Sequence, residues 1–499
     1  MAVQAVPGFD LQPSSQQVPV STNYLSSADF TWLQQYLPDT YEKEFERYGN
    51  RTVASFLRMV GAEMPSNSDL IKWAEQGRLH TKYQNCTSAS AAGAVDGVWT
   101  IPGVGAAPGA GGNNPANFNP QLNANSGILA SLRVGQTVMI SDNTPGSTLQ
   151  NKAIVKVAPT PAAPATFTVA YYEAGGQAMA AATSCDIFIY GSEFAKGTNG
   201  MVGSNEADDF IFDNKPIIIK DKYTVSGSDM AQIGWIEVTG EDGVSGYLWY
   251  LKSEHDTRLR FEDYLETAMV EAVPADAASG AADFLQGVGV GAGAANLSGS
   301  DGIFYSVSTR GNVFGGGNPV ALAQFDQVIQ RLDKQGSIEE NVIFVNRQFS
   351  FDIDDMLAAQ NSYGAGGTSY GLFDNDKDMA LNLGFTGFRR GYDFYKSDWK
   401  YLNDPTMRGG VNAGAINGLL VPAGSTTVYD QILGKNAKRP FLHVRYRASE
   451  TEDRRYKTWI TGSAGGARNS DLDAMEVNFL SERAVCTLGA NNFFLFQDA

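Results

Sequence analysis

The sequence predicts an α+β protein that carries an inserted all-β module. Three observations point there. Helix-like and strand-like segments alternate irregularly, without the repeating β-α order of a doubly wound enzyme. From about 86 to 196 the composition shifts to Ala, Gly, Pro, Asn and Thr with few charges, and short apolar runs are spaced by turn residues. The last third holds "FLHVRYRAS", "RYKTWITGS" and "MEVNFLSERAVCTLGANNFFLF", which read as strands, with little helix between them.

In chain order, residues 1 to about 25 are rich in Gln, Ser, Pro and Val and read as an extended arm that orders on a partner surface. Short amphipathic helices are expected over about 27–64, the first broken by Pro38. Another is expected in "SDLIKWAEQGRL", capped by Ser68 or Asp69 and ended by Gly77. The β-rich module follows as a sandwich or barrel, with strands such as "SLRVGQTVMI", "NKAIVKVA", "ATFTVAYY" and "CDIFIYG". Cys86 and Cys185 lie near its two ends. They fit either a pair at the module's base or two unrelated buried thiols, and the second is the simpler reading.

"FIFDNKPIIIKDKYTVSGSDMAQIGWIEV" reads as two strands joined by the turn "SGSD". A long helix is predicted over about 247–273, because Phe261, Tyr264, Leu265, Ala268 and Met269 form one apolar stripe. Beyond a glycine-rich stretch, "GIFYSVSTRGN" reads as a strand. In "NPVALAQFDQVIQRLDKQGS" Asn318 is the expected cap, Pro319 the first helical residue and Gly336 the stop. Its buried face is Leu322, Phe325, Val328, Ile329 and Leu332. "NVIFVNR" is a continuous apolar run, as expected of a strand covered on both faces.

Composition excludes several classes of function. With 37 Lys and Arg against 54 Asp and Glu, the net charge of −17 opposes sequence-independent nucleic-acid binding. Three cysteines provide neither a disulfide framework nor metal-ligand spacing. The start lacks a signal-peptide pattern, and no run approaches the roughly 20 apolar residues that span a bilayer. A soluble protein made in a reducing cytoplasm is expected.

No motif supports catalysis, so the chain is not read as an enzyme. Gly287, Gly289 and Ala292 fit G-x-G-x-x-G/A, but a dinucleotide loop follows a strand and opens a helix, and here a helix precedes and a strand is expected next. Gly287, Gly289 and Gly291 are read as a hinge, and no cofactor is expected. "DNDKD" (Asp374, Asp376, Asp378) starts like a calcium loop, but Met379 and Phe385 stand where Gly and Glu are needed, so no metal is expected. His80, His255 and His443 sit in no metal or triad motif. Asp352, Asp354 and Asp355 read as the start of a helix. The basic cluster Lys438, Arg439, Arg445, Arg447, Arg454, Arg455 and Lys457 is interleaved with Glu450, Glu452 and Asp453. That favours ion pairs within or between subunits over nucleic acid.

The order of parts is arm, hairpin, long helix, glycine loop, capped helix, buried strand and closing strands. It resembles the major capsid proteins of tailed phages with the Hong Kong 97 fold. "DFLQGVGVGAG" stands where that family has a glycine segment after its spine helix, and "ALAQFDQVIQRLDKQGSIEENVIFVNRQ" resembles its central helix and strand. "EFERYGNRTVASFLRMVGAEMPS", "WAEQGRLHTKY" and "LSERAVCTLGANNFFLF" are similar to capsid proteins of crAss-like phages.

The resemblance implies a domain plan. Residues 1–64 are the arm and first helices, 65–85 the peripheral-domain entry, 86–196 the inserted module and 197–246 the extended loop. Residues 247–315 are the spine helix and peripheral domain, 316–435 the axial domain, and 436–499 the closing peripheral strands. It implies a virion protein, assembled in the bacterial host cytoplasm through homo-pentamers and homo-hexamers into an icosahedral head around double-stranded DNA. Portal, scaffold and accessory capsid proteins are the further partners; DNA is a partner by proximity only, and no membrane is involved. The extended loop would bury Ile217, Ile219, Tyr223, Trp235, Ile236 and Val238 only on assembly. An encapsulin-like compartment shell and a phage accessory or adhesin protein are the alternatives.

Overall fold

The structure, a computed structural model, describes residues within 62–101, 131–203, 210–231, 237–281, 299–360 and 387–498, with short interruptions. The N-terminal arm, Trp235, Ile236, the hinge glycines Gly287, Gly289 and Gly291, and the "DNDKD" segment lie outside the described residues. The chain divides into two compact units, Lys72–Asp213 and the remainder.

After β1 (Ala62–Ser66), which belongs to the larger unit, the chain enters the smaller one through β2 (Ile71–Glu75). This segment is a strand, not the helix expected of "SDLIKWAEQG". It pairs with β9 (Phe210–Asn214), the strand by which the chain leaves, and the Trp73 and Phe212 rings lie 6.3 Å apart. Alternation of exposure along Ile71–Glu75 follows the period of a strand. Ser68 caps no helix; its hydroxyl accepts from Leu70 N.

Between these two strands lie β3 (Lys82–Ser88), β4 (Asp96–Ile101), β5 (Gln136–Asp142), β6 (Gln150–Val157), β7 (Ala165–Tyr171) and β8 (Cys185–Ser192). They close into an antiparallel barrel in the order β3-β4-β7-β6-β5-β8. Closure leaves no sheet edge open to another chain. Alternate residues face inward, so Trp99, Ile101, Val138, Ile140 and Phe167 make a core of the barrel's own. Gly97 is required where it stands, because a Cβ there would lie 2.1 Å from the Tyr171 hydroxyl, which accepts from Trp99 Nε1 at 2.9 Å.

In the larger unit the chain continues through β10 (Ile217–Ser226), α1 (Gly227–Ala231), β11 (Glu237–Thr239) and β12 (Ser245–Tyr247) into the 24-residue helix α2 (Leu248–Glu271). At 1.5 Å per residue α2 is about 36 Å long. Then come α3 (Ile303–Arg310), β13 (Asn312–Phe314), α4 (Leu322–Gln335), β14 (Glu340–Val345), α5 (Arg347–Gln360), β15 (Gly387–Arg390), β16 (Tyr392–Asp398) and α6 (Lys400–Asn403). The rest is β17 (Ile416–Pro422), β18 (Ser425–Asp430), β19 (Lys435–Pro440), β20 (Leu442–Arg447), β21 (Lys457–Gly462), β22 (Ala474–Thr487) and β23 (Phe494–Gln497).

Two sheets organise this unit. One has the order β1-β20-β22-β10, with β21 also on β22; the other runs β13-β23-β17-β14-β16-β15. Strand β14 is central, as its apolar run predicts: Ile343 and Val345 face α4 and α5, while Phe344 faces the opposite core. That second core joins Met269 and Val270 of α2, Ile303 and Val307 of α3, and strand residues of both sheets. The α2 stripe is buried at Phe261, Leu265 and Met269, but Tyr264 is 45% exposed.

Three local expectations change. "GIFYSVSTR" is helix α3, because Ile303, Phe304 and Val307 share a face buried in the core while Ser308 and Thr309 hydroxyls donate to Tyr305 O. Among the described residues, therefore, the element named next after the glycine stretch is helix α3 and not the expected strand, and the one named before it is helix α2. The N-terminus of α3 is occupied by protein: Gly302 N donates to Ala272 O at 2.8 Å. Helix α4 starts at Leu322, and Asn318 does not cap it. The Asn318 amide instead donates to Asp352 of α5, and Gln324 accepts from Val320 N and Ala321 N. Helix α5 starts at Arg347, so Asp352, Asp354 and Asp355 lie inside it; Asp354 pairs with Lys396 of β16 at 2.5 Å.

Candidate assembly surface

The predicted contact residues divide by environment. Strand β10 pairs along all ten of its residues with β22, from Ile217 opposite Arg483 to Ser226 opposite Ala474. The hairpin expected between β10 and the segment after "SGSD" does not form. Residues Gly227–Ala231 are a short helix, and β11 pairs with β12 instead. The fourteen-residue β22 offers β10 a longer partner than the three-residue β11 could.

Ile217 and Ile219 are accordingly half-buried against cores of their own chain, which corrects the expectation that only a neighbour covers them. Tyr223 is half-buried, and Ile218, on the opposite face, is 54% exposed. Val238 lies on β11 opposite Gly246.

The segment after β10 is bonded differently. Strands β11 and β12 form a two-stranded sheet of their own between β10 and α2. A second such ribbon, β18–β19, runs from Ser425 opposite Pro440 to Asp430 opposite Lys435. Each is bonded into neither large sheet among the described residues. The sequence reading missed this second ribbon, although the β-rich "STTVY" followed by "GKN" carried the signal.

The start of β10 is fixed by Asn214, which is 5% exposed. Its Nδ2 donates to Val485 O at 2.6 Å and Asp301 O at 3.0 Å. Its Oδ1 accepts from Ser300 Oγ, Asp301 N and Lys215 N. One buried amide thus ties β10, β22 and the entry to α3. Nothing in the sequence distinguishes it from other Asn residues.

The middle of β10 is held by charge. Lys222 donates to Glu476 of β22 at 3.0 Å, and Thr461 of β21 donates to the other carboxylate oxygen at 3.3 Å. The Lys222 bond, foremost, holds the Glu476 carboxyl below the usual glutamate range.

The basic cluster serves the same sheet. Arg447 pairs with Asp69 and Glu482, Arg454 Nε lies 2.8 Å from Glu482, and Arg455 and Arg483 both reach Glu63. Lys457 pairs with Glu452, an acid of the interleaved loop. The other acids come from β1, the turn after it and β22, segments remote in sequence. Glu482 and Arg483 are buried, where removal of one partner leaves a costly unpaired charge. Side chains of Lys438 and Arg439 lie outside the described residues.

His443 is buried with Nδ1 3.2 Å from Pro440 O, and His80 and His255 are exposed. Among the described residues no group of His, Cys, Asp and Glu could hold a metal, and no helix is long and apolar enough to cross a membrane.

No protein-family model and no curated protein matches the chain. Solved structures similar to it come from phages and capsids. One is a chain of Microbacterium phage Oxtober96, at 10% identity and TM-score 0.36, covering 94% of this chain and 98% of that one. Another is from the capsid of a native GTA particle, at 9% identity and TM-score 0.35, covering 95% and 98%. A third, from the mature capsid of bacteriophage PhiM1, has 10% identity and TM-score 0.31 and covers 61% and 77%. Such TM-scores carry no functional conclusion, so the chain's own geometry must.

Proposed function

We propose that the chain is a major capsid protein of a tailed bacteriophage. Its copies form pentamers and hexamers that close into an icosahedral head around double-stranded DNA. The observation that carries this reading is the path from β10 to α2. The chain leaves the five-stranded sheet at Ser226, makes the separate ribbon β11–β12, and returns as a 24-residue helix whose Phe261 and Leu265 pack on Met475, Val477 and Phe479 of that sheet. A two-stranded ribbon is marginal alone in water, so it needs a covering surface. A second copy of the chain supplies that surface at every contact of a shell.

The other features agree with a structural role. Function is geometric, the net charge of −17 disfavours adhesion of the chain to packaged DNA, and the separately cored barrel offers a face to accessory capsid proteins. Portal and scaffold proteins complete the assembly, which takes place in the host cytoplasm. The phage is of the crAss-like kind that the sequence phrases resemble.

A photo-crosslinking residue at Val238 tests the reading. Chains carrying it in heavy-isotope form are mixed with light chains before assembly. The expected result is crosslinks joining heavy to light chains; crosslinks confined to single chains would contradict the reading.

A further inference from the structure

The barrel brings together two thiols that the sequence places 99 positions apart. Cys86 of β3 and Cys185 of β8 are direct register partners across an antiparallel pair. Both are fully buried and belong to the same barrel core. Antiparallel partners stand about 4.5–5.5 Å apart at Cα, inside the roughly 4.4–6.8 Å that a disulfide spans. Two unrelated buried thiols is therefore the wrong reading.

The position of the pair matters as much as its spacing. Strands β3 and β8 are the first and last of the barrel, and their pairing closes it. This seam is irregular. It pairs at Lys82, Tyr83 and Cys86 only, with a register shift between Tyr83 and Cys86, and Asn85 in that shift has φ 54°. Asn85 Oδ1 accepts from Asn143 Nδ2 and from Ser184 Oγ, both at 3.1 Å, which pins the irregular backbone beside Cys185.

We propose that Cys86 and Cys185 form a disulfide that clasps the barrel at its closing seam when the protein meets an oxidising low-molecular-weight disulfide. One thiolate attacks that disulfide, forming a mixed disulfide and releasing one small thiolate. The second cysteine's thiolate then attacks the first cysteine's own Sγ, breaking its bond to the small-molecule sulfur and releasing the other small thiolate. Two protein thiols are oxidised and one small disulfide is reduced to two thiols, which take up through solvent the two protons that the cysteines give up. In a reducing medium the pair stays as thiols.

Burial sets the rate. It pushes both thiols up to about 12, and the Cys185 Sγ–H is directed to Met179 Sδ at 3.2 Å. The closed barrel therefore reacts slowly, and reaction requires the seam to open. Cys486, the third cysteine, lies on β22 in the other unit. The inference does not depend on the capsid reading.

The test incubates the full-length chain with oxidised glutathione, at room temperature and just below its first thermal transition. Non-reducing peptide mapping and thermal unfolding are the readouts. The expected result is one dominant crosslinked peptide joining Cys86 to Cys185. The barrel's unfolding midpoint rises by about 5 °C or more and returns on adding dithiothreitol. Cys86→Ser and Cys185→Ser each abolish the rise; if either fails to fold, dithiothreitol reversal in the unaltered chain carries the test. A stable glutathione adduct on either cysteine, a crosslink that prefers Cys486, or no Cys86–Cys185 peptide at either temperature would overturn the proposal.

Discussion

Replacing residues 232–244 by a Gly/Ser linker of equal length is expected to leave both units folded and to abolish assembly. The exchange removes β11, and with it the ribbon, but keeps β10, whose ten residues are paired with β22 and whose Ile217 and Ile219 lie against the core. It also keeps α2, which carries the buried Phe261 and Met269. A lost ribbon therefore costs the isolated chain little, because a two-stranded sheet adds little stability by itself. In a shell the same loss recurs at every subunit contact. Circular dichroism and thermal unfolding should match the parent, while light scattering shows no species above the free chain. Assembly at the parent's level would remove the ribbon from the interface.

The second large effect is expected at Phe261→Ala. Phe261 is fully buried where α2 crosses the five-stranded sheet. Its ring stacks on Phe479 at 5.7 Å and meets the Tyr456 ring edge-on at 5.4 Å. Removing a buried Phe costs about 3–5 kcal/mol through lost transfer energy and the cavity left behind. The loss should fall on the larger unit alone, since the barrel has a core of its own. Denaturant unfolding followed separately for the two units is the measurement. A loss below about 1 kcal/mol would mean that the helix does not brace the sheet.

Much of this fold was legible in the sequence where one periodicity stood without competitors. Phe261, Leu265 and Met269 share the face of a helix at any reading, and "VIFV" has no polar position to turn outward. The barrel showed itself through composition, because short apolar runs between turn residues suit strands alone. Legibility failed where a short segment fits two periods. In "IKWAE", Ile71, Trp73 and Glu75 alternate as a strand requires, yet Leu70, Ile71 and Ala74 also suit a helical face. Pairing with β9, more than 130 positions later, decides the matter. "GIFYSVSTR" is rich in strand-forming Ile, Phe, Tyr, Val and Thr, but its helical face fits the core.

The candidate surface was legible only in part, for a related reason. Alternation in "PIIIKDKYTV" revealed a strand but not its partner, so a local hairpin was the natural expectation. The partner is β22, some 250 residues later. Asn214 was invisible because its five hydrogen bonds depend on three segments meeting. The paired thiols were half legible: their places at the module's ends were plain, but their register was not.

Negative-stain imaging of the purified full-length chain alongside size exclusion decides whether its copies build a shell. Closed shells, or rings of five or six copies, eluting far ahead of a 53.6 kDa chain are expected. A protein that stays monomeric at every concentration and salt condition would contradict the capsid reading.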